Sequence, residues 1–311
     1  MYKRAYERPS FQRHDLAGRW PRITVVTSVL NGINYIETTI RSILEQKYTN
    51  LEYIVMDGGS TDGTLDIIRK YEAEISYWES APDRGVYDAL NKGFARSTGE
   101  IMGWLNASDL LQPDGLKIVG AVFSAFPQVE WITGHPAKVD TSGTKWEEMP
   151  LARWSRMRFL AGADKYIQQE STFWRRSLWE KAGGALSTAY RAEGDYELWV
   201  RFFRHARLHT VDAPIGCYRT HEDSLSARDI ARYNRNCEEI SGKEIKNTPW
   251  SGMLKGIRWI GRAVRPIPKI RGAWQRLAIR GLYRVPGPDW APMIVPAAGG
   301  WELRGNRLRR R

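Results

Sequence analysis

Apolar residues in this chain fall into short β-branched runs and longer stretches of helical spacing, and the two alternate through the first third of the sequence. Ile23-Thr24-Val25-Val26-Thr27-Ser28-Val29 is short enough for a buried strand and is broken by Asn31-Gly32. Between Tyr35 and Gln46, Ile36, Ile40, Ile43 and Leu44 recur at helical spacing. Leu51–Asp57 reads as a second strand and Gly58–Thr64 as a turn. A helix follows over Leu65–Glu72, with Thr64 or Ser60 as its cap. The alternation predicts a parallel sheet with right-handed crossovers, whose ligands meet the carboxyl ends of the strands. Thr27, Asp57 and Asp109 each fall at or just past such an end. From about Glu130 the pattern is less regular. Gln168–Arg175 reads as a strand entering a helix, Arg176–Lys181, that stops at Gly183-Gly184. Asp195–Ala206 reads as a helix with Leu198, Trp199, Phe202 and Phe203 on one side, and a strand is expected near Leu208–Ala213.

Charge adds a second feature. The 311 residues carry a formal net charge of +12, which calls for an anionic partner: a nucleotide, a nucleic acid or an anionic membrane. From Met253 to Arg311 there are fourteen basic residues against two acidic ones, Asp289 and Glu302, so this stretch alone holds the whole excess of +12. Met253, Ile257, Ile260 and Val264 fall on one helical face there, with Lys255, Arg258, Arg262 and Arg265 opposite; Pro266 and Pro268 end the pattern. Ile270–Arg284 repeats it less cleanly, with Ile270, Trp274 and Leu277 aligned. Such a helix docks on an anionic membrane surface, each basic residue contributing about 1 kcal/mol, or packs on its own domain with a solvated basic face. No nucleic-acid motif accompanies the charge, so nucleic acid is not the expected partner. The first residues are charged and lack an apolar core, unlike a secretory signal, and no apolar run reaches the ~18 residues a spanning helix needs. Two cysteines, Cys217 and Cys237, make neither a disulfide framework nor a metal spacing, so a reducing compartment is expected. Three regions follow: a polar lead-in over 1–21, a body over 22–240, and a basic extension over 241–311.

Two blocks carry the chemistry. One is Asp83-Arg84-Gly85-Val86-Tyr87-Asp88-Ala89-Leu90-Asn91-Lys92-Gly93; the other is Trp104-Leu105-Asn106-Ala107-Ser108-Asp109, a polar end to an apolar segment. Together with Thr27–Gly32, Asp57–Thr64 and Arg191–Trp199, they resemble the signature of inverting family 2 glycosyltransferases of bacterial polysaccharide or lipid-linked oligosaccharide assembly. The resemblance runs from about Ile23 to Ser226 and does not cover the basic extension. It implies an α/β class and the GT-A fold: a Rossmann-like, mostly parallel central sheet with helices on both faces, followed here by a basic, helical C-terminal extension. It divides the body into a nucleotide-sugar half, 22–129, and an acceptor half, 130–240.

The resemblance also implies roles. The donor is a UDP-, GDP- or dTDP-linked sugar, met by Thr27, Asn31, Asp57, Gly59, Ser60, Asp83, Arg84, Asn91, Lys92 and Asn106. Asp109 matches the acid that binds Mg2+ or Mn2+, a hard cation that also takes diphosphate oxygens, with His221 as a candidate further ligand. The family pattern has two adjacent acids, and the first of them is Ser108 in this chain. Asp195 stands at the position of the catalytic base, with Glu193 as the alternative and the N-cap of the helix as a purely structural role for Asp195. Gln168, Gln169, Glu170 and Trp199 fall on the acceptor side, where a saccharide or polyprenyl-linked hydroxyl is expected. The whole implies a cytoplasmic enzyme, peripheral on the inner face of the membrane. A sugar nucleotidyltransferase would want a Gly-rich, basic phosphate loop, and Val29-Leu30-Asn31-Gly32 is a poor one. A dinucleotide oxidoreductase would want Gly-x-Gly-x-x-Gly after the first strand, which is absent. A noncatalytic protein that keeps the fold is favoured only by Ser108.

Overall fold

The computed structural model describes residues 20–135, 137–143, 146–148, 151–162, 166–221, 229–263 and 290–305. The first β-branched run forms β1, Ile23–Val29, buried at every position. β2 (Leu51–Asp57), β3 (Tyr77–Ser80) and β4 (Ile101–Trp104) join it in parallel, with β1 between β2 and β4. The crossovers run through α1 (Ile36–Leu44), α2 (Thr64–Lys70) and α3 (Val86–Arg96). α2 differs from the expectation at its start: Thr64 is its first residue and Gly63 takes the cap position without a side-chain bond, while Asp62 accepts from the Thr64 amide at 3.0 Å and Ser60 is turned to Asp57.

The second half continues with β5 (Leu110–Leu111), α4 (Gly115–Ala125), β6 (Trp131–His135), β7 (Ala137–Val139), β8 (Trp146–Glu148) and α5 (Arg156–Ala161). The expected strand over Gln168–Arg175 is split. Gln169–Ser171 forms a turn of 3₁₀ helix and only Thr172–Arg175 is strand, β9. Then come α6 (Arg176–Lys181), α7 (Gly194–His205), β10 (Leu208–Pro214), β11 (Gly216–Arg219) and α8 (Ile230–Ile245). α9 (Ser251–Ala263), β12 (Met293–Ala297) and β13 (Gly300–Arg304) complete the described elements. The main sheet has the order β13-β12-β10-β6-β9-β4-β1-β2-β3, with β9 antiparallel to both β4 and β6. A smaller sheet, β5-β11-β7-β8, stands beside it.

Alternation along the strands builds a core on each face. Ile23, Val25 and Val29 pack with Ile36, Ile40 and Val119 from α1 and α4; Val26, Met56 and Trp104 pack with Leu90, Leu178 and Trp199 from α3, α6 and α7. The second core holds most of the aromatic bulk. Trp104 stacks on Trp199 with ring centres 5.9 Å apart and planes 11° from parallel, and Trp131 and Trp174 close around them. Trp199 is 1% exposed. It belongs to this core and not to the acceptor side, because the apolar face of α7 that carries it is pressed onto the sheet.

The extension departs from an all-helical tail. β12 and β13 form a hairpin whose Ile294 pairs with Val211 of β10, so the chain returns to the sheet edge and buries Ile294 and Val295. Gly299 at φ 81° and Gly300 at φ 142° turn the hairpin in a region that only glycine enters freely. α9 packs on the body through the fully buried Leu254, with Ile257 half-buried. Arg258, expected on the solvated face, turns inward and donates to the Glu238 carbonyl at 2.8 Å. Met253 and Trp259 are left outward, 40% and 70% exposed. The second basic stretch, Ile270–Arg284, and the lead-in up to residue 19 lie outside the described residues. Among the described residues no helix is long and apolar enough to cross a membrane.

Candidate active site

The site is assembled at the carboxyl ends of β1, β2 and β4. The loops after β1 and β2 are laced together. The Asn31 amide donates to Ser60 Oγ at 2.7 Å and the Asn31 side chain accepts from the Thr61 amide at 2.9 Å. Gly32 and Ile33 donate their amides to Thr64 Oγ1 and Asp62 Oδ2. Asp57, 3% exposed, accepts from the amides of Gly59 and Ser60 at 2.9 Å each and from Ser80 Oγ at 2.6 Å, while Ser60 Oγ donates to its other oxygen. The carboxylate therefore shapes the loop that Gly59, at φ 89°, makes possible. Thr27 is fully buried and accepts from the Tyr53 hydroxyl at 3.2 Å, so it braces the strand under the site and does not face a ligand.

The loop after β3 folds over this floor. A side chain at Gly58 would stand 2.7 Å from Asp83 Oδ2, which sets Asp83 against the β2 loop; its Oδ1 accepts from the Gly85 amide at 2.7 Å. Arg84 and Lys92 both turn to Asp88, at 2.9 and 3.3 Å. Hydrogen bonds from Arg84 hold the Asp88 carboxyl at a pKa of about 2. Arg84 is well exposed and can swing away; Lys92 also reaches the Pro82 carbonyl. Asn91 spends both ends of its amide on the Leu186 backbone, at 2.9 and 2.8 Å. It fastens α3 to the segment before α7 and is not turned to a donor.

Asp109 lies deeper, 1% exposed, beyond β4. Its Oδ1 accepts from the Arg219 amide at 3.0 Å and its Oδ2 from Asn106 at 3.2 Å. Arg219, also 1% exposed, is the fastening of this corner: its guanidinium donates to the carbonyls of Ser108 and Thr141, at 2.7 Å each, and to Thr38 Oγ1 at 3.0 Å. The same Asn106 amide reaches Gln169 Oε1 at 3.2 Å, and Gln169 donates to the Trp104 carbonyl. Gln168 is occupied by the backbone of Ala137. Glu170 is 4% exposed and its Oε1 has no hydrogen-bond partner. Burial raises the Asp109 carboxyl to a pKa of about 7; burial, and next the charge of Asp109, raise Glu170 well above the carboxylate range.

These are oxygen donors short of positive charge, the kind of set that suits a hard divalent cation such as Mg2+ or Mn2+. The His221 ring packs against Tyr35 with ring centres 5.1 Å apart and planes tilted by 39°. Among the described residues no three His, Cys, Asp or Glu side chains form a metal-binding group, so His221 does not complete one with Asp109 and Glu170.

The opposite wall is the start of α7. Asp195 lies in the first turn and is half-buried; the cap position falls to Glu193, whose side chain makes no capping bond. Asp195 Oδ1 accepts from the Tyr196 amide at 2.6 Å, and burial, against that bond, raises its pKa to about 7. Glu193 is 2% exposed and its two oxygens accept from Asn236 at 3.0 Å and from the Ala192 amide at 3.2 Å, so it braces the turn and is poorly placed as a base. Tyr87 of α3 packs under this turn: any side chain at Gly194 would meet its ring at 2.6 Å. Ser80 carries no signal in the sequence, and Tyr87, Asp88 and Arg219 stand in the motif stretches without a site role assigned to them. Arg219 lies two residues before His221.

Comparison with known proteins agrees with this geometry. The model of Glycosyl transferase family 2 matches residues 24–179. An uncharacterised glycosyltransferase of Mycobacterium tuberculosis (strain H37Rv) is 32% identical over 168 residues, 53% of this chain. The chain spans only 62% of that relative's length. Among solved structures, S. aureus TarS 1-349 in complex with UDP-GlcNAc superimposes with a TM-score of 0.61 at 15% identity, covering 78% of this chain and 73% of that one. The mannosyltransferase PcManGT of Pyrobaculum calidifontis, in complex with GDP-Man and Mn2+, gives 0.58 at 20% identity, over 86% and 77%. These likenesses agree with the GT-A architecture of the sheet, and the family match settles membership: the chain belongs to glycosyl transferase family 2.

Proposed function

We propose that the protein moves a sugar, with inversion, from a nucleoside-diphosphate sugar to a hydroxyl of a saccharide or polyprenyl-linked acceptor. The observation that carries the reading is a half-buried carboxylate, Asp195, opening α7 over Tyr87, with the deeply buried Asp109 at the end of β4; burial raises both acids above the ordinary carboxylate range. A base works best when its pKa lies near the working pH. Asp195 takes the proton of the acceptor hydroxyl as that oxygen attacks the anomeric carbon. Attack from the side opposite the departing diphosphate inverts that carbon. Asp57 and the glycine turn it holds shape the nucleotide floor, Asp83 borders it, and Arg84 and Lys92 carry the positive charge nearest the diphosphate. Asp109, with Asn106 and Arg219 fixing its orientation, would hold Mg2+ or Mn2+, and such a cation would offset the charge that develops on the leaving diphosphate. TarS with UDP-GlcNAc and PcManGT with GDP-Man and Mn2+ support a nucleotide sugar and a divalent cation as ligands. The basic extension serves to keep the enzyme at the anionic inner face of the cytoplasmic membrane, where a polyprenyl-linked acceptor would be met.

The test is Asp195→Asn. It should lower transfer by about 10²–10⁴-fold while UDP and GDP still raise the melting temperature as in the wild type. Unchanged turnover would remove Asp195 from the role of base.

A further inference from the structure

We propose that Glu170 is the second protein carboxylate of the cation site, supplying from the turn before β9 the acid that the family pattern has at position 108 and that this chain replaces with Ser108. The inference rests on the glycosyltransferase reading above and deepens it.

Three observations converge. The first is the side chain itself. Glu170 is 4% exposed and Oε1 lacks any hydrogen-bond partner. A buried, unpaired carboxyl oxygen is costly, and such a group persists where the native function supplies what is missing.

The second is placement. The Asn106 amide bridges from Asp109 Oδ2 to Gln169 Oε1, at 3.2 Å each, so the turn that carries Glu170 and the principal acid share one hydrogen-bond donor. Burial first, and then the charge of Asp109, raises the Glu170 carboxyl, so the two acids act on one another.

The third is rigidity. Ser171 Oγ donates to the Gly216 carbonyl at 3.1 Å and accepts from its amide at 3.2 Å. β11 passes so close that a side chain at Gly216 would stand 2.2 Å from the Glu170 carbonyl oxygen. The same strand ends in Arg219, whose amide binds Asp109 and whose guanidinium holds the Ser108 carbonyl. One strand therefore fixes both carboxylates, and ligands must be fixed in this way to select a cation.

The probe is Mn2+, alone and with UDP or GDP, followed by electron paramagnetic resonance of the ion and by calorimetry. Glu170→Gln, nearly isosteric, and Glu170→Asp should each weaken Mn2+ binding in the presence of the nucleotide by at least about tenfold. Nucleotide binding without metal should stay at the wild-type level. Adding Ser108→Asp to Glu170→Gln should restore Mn2+ affinity, a rescue that a merely structural role for Glu170 does not provide. Asp109→Asn is the reference. If it abolishes Mn2+ binding while both Glu170 variants bind as the wild type does, the role of Glu170 is overturned and the glycosyltransferase reading stands. If the wild type itself binds no Mn2+ with either nucleotide, the cation site falls altogether, Glu170 with it, and transfer remains to be judged by Asp195.

Discussion

Asp195 and Arg219 show how single residues set the chemistry. The Asp195 carboxyl has a folded-state pKa of about 7 against an ordinary 3.8. Between those values the folded protein holds a proton that the unfolded chain gives up. Its contribution to stability is therefore largest at low pH and declines as pH rises toward 7. Relative to the wild type, Asp195→Asn should gain in melting temperature as pH rises from about 4 to 7 and hold a constant advantage above 7, read by calorimetry across that range. A constant difference at all pH values would show that the carboxyl is not perturbed. Arg219 acts through position rather than contact with substrate. Its buried guanidinium donates to the Ser108 and Thr141 carbonyls and to Thr38 Oγ1, so Arg219→Ala should cost about 2–4 kcal/mol in chemical denaturation. It should also weaken Mn2+ binding by loosening Asp109. A loss of stability with undiminished Mn2+ affinity would show that Asp109 is held without it.

At the scale of elements, the junction of α3 and α7 decides where the base stands. Gly194 opens α7 directly over the Tyr87 ring, and the 2.6 Å that an added carbon would leave demands a shift of the turn. Gly194→Ala should destabilise by about 1–3 kcal/mol through overpacking and lower kcat more than it raises KM, since the displaced residue is Asp195. A variant with wild-type kcat would mean that the turn has room to adjust. The helices and strands themselves were mostly legible in advance. α1, α6 and α7 lie where periodicity puts them, because one apolar stripe at helical spacing has few other ways to be buried. The exceptions are instructive. The turn at Gln169–Ser171 looked like the start of a strand, since nothing local marks a 3₁₀ turn held by the backbone of β11. Asn91 looked like a ligand-binding amide, yet its partner is Leu186, separated from it by 95 residues.

Over the whole molecule, the described parts of the basic extension, α9 and the hairpin, serve both as scaffold and as surface. Its end adds a hairpin to the sheet, and α9 is seated by Leu254. What α9 leaves outward is Trp259 and Met253 flanked by the exposed Lys255 and Arg262, an arrangement suited to an anionic interface. Trp259→Glu combined with Lys255→Glu and Arg262→Glu should reduce sedimentation with phosphatidylglycerol vesicles several-fold. Transfer to a soluble acceptor and binding to neutral vesicles should remain unchanged. Equal sedimentation of variant and wild type would leave α9 as a packing helix only.

The sequence by itself determined the parallel strand–helix frame and the loops at its carboxyl ends. It also marked Asp57, Asp83, Asp109 and Asp195 as the acids to watch. Periodicity and turn chemistry act over a few residues, and a short motif carries its own local shape. Only the tertiary structure decided which polar groups are spent on the fold and which remain for chemistry. Thr27, Asn91 and Glu193 are consumed by Tyr53, Leu186 and Asn236, and Trp199 by the aromatic core. The bond from Arg219 to Asp109 spans 110 residues of sequence. The burial of the Glu170 carboxyl is likewise set by packing from elsewhere in the chain, β11 at Gly216 among it. Such pairings depend on how the two halves of the sheet close on one another, which no local pattern encodes.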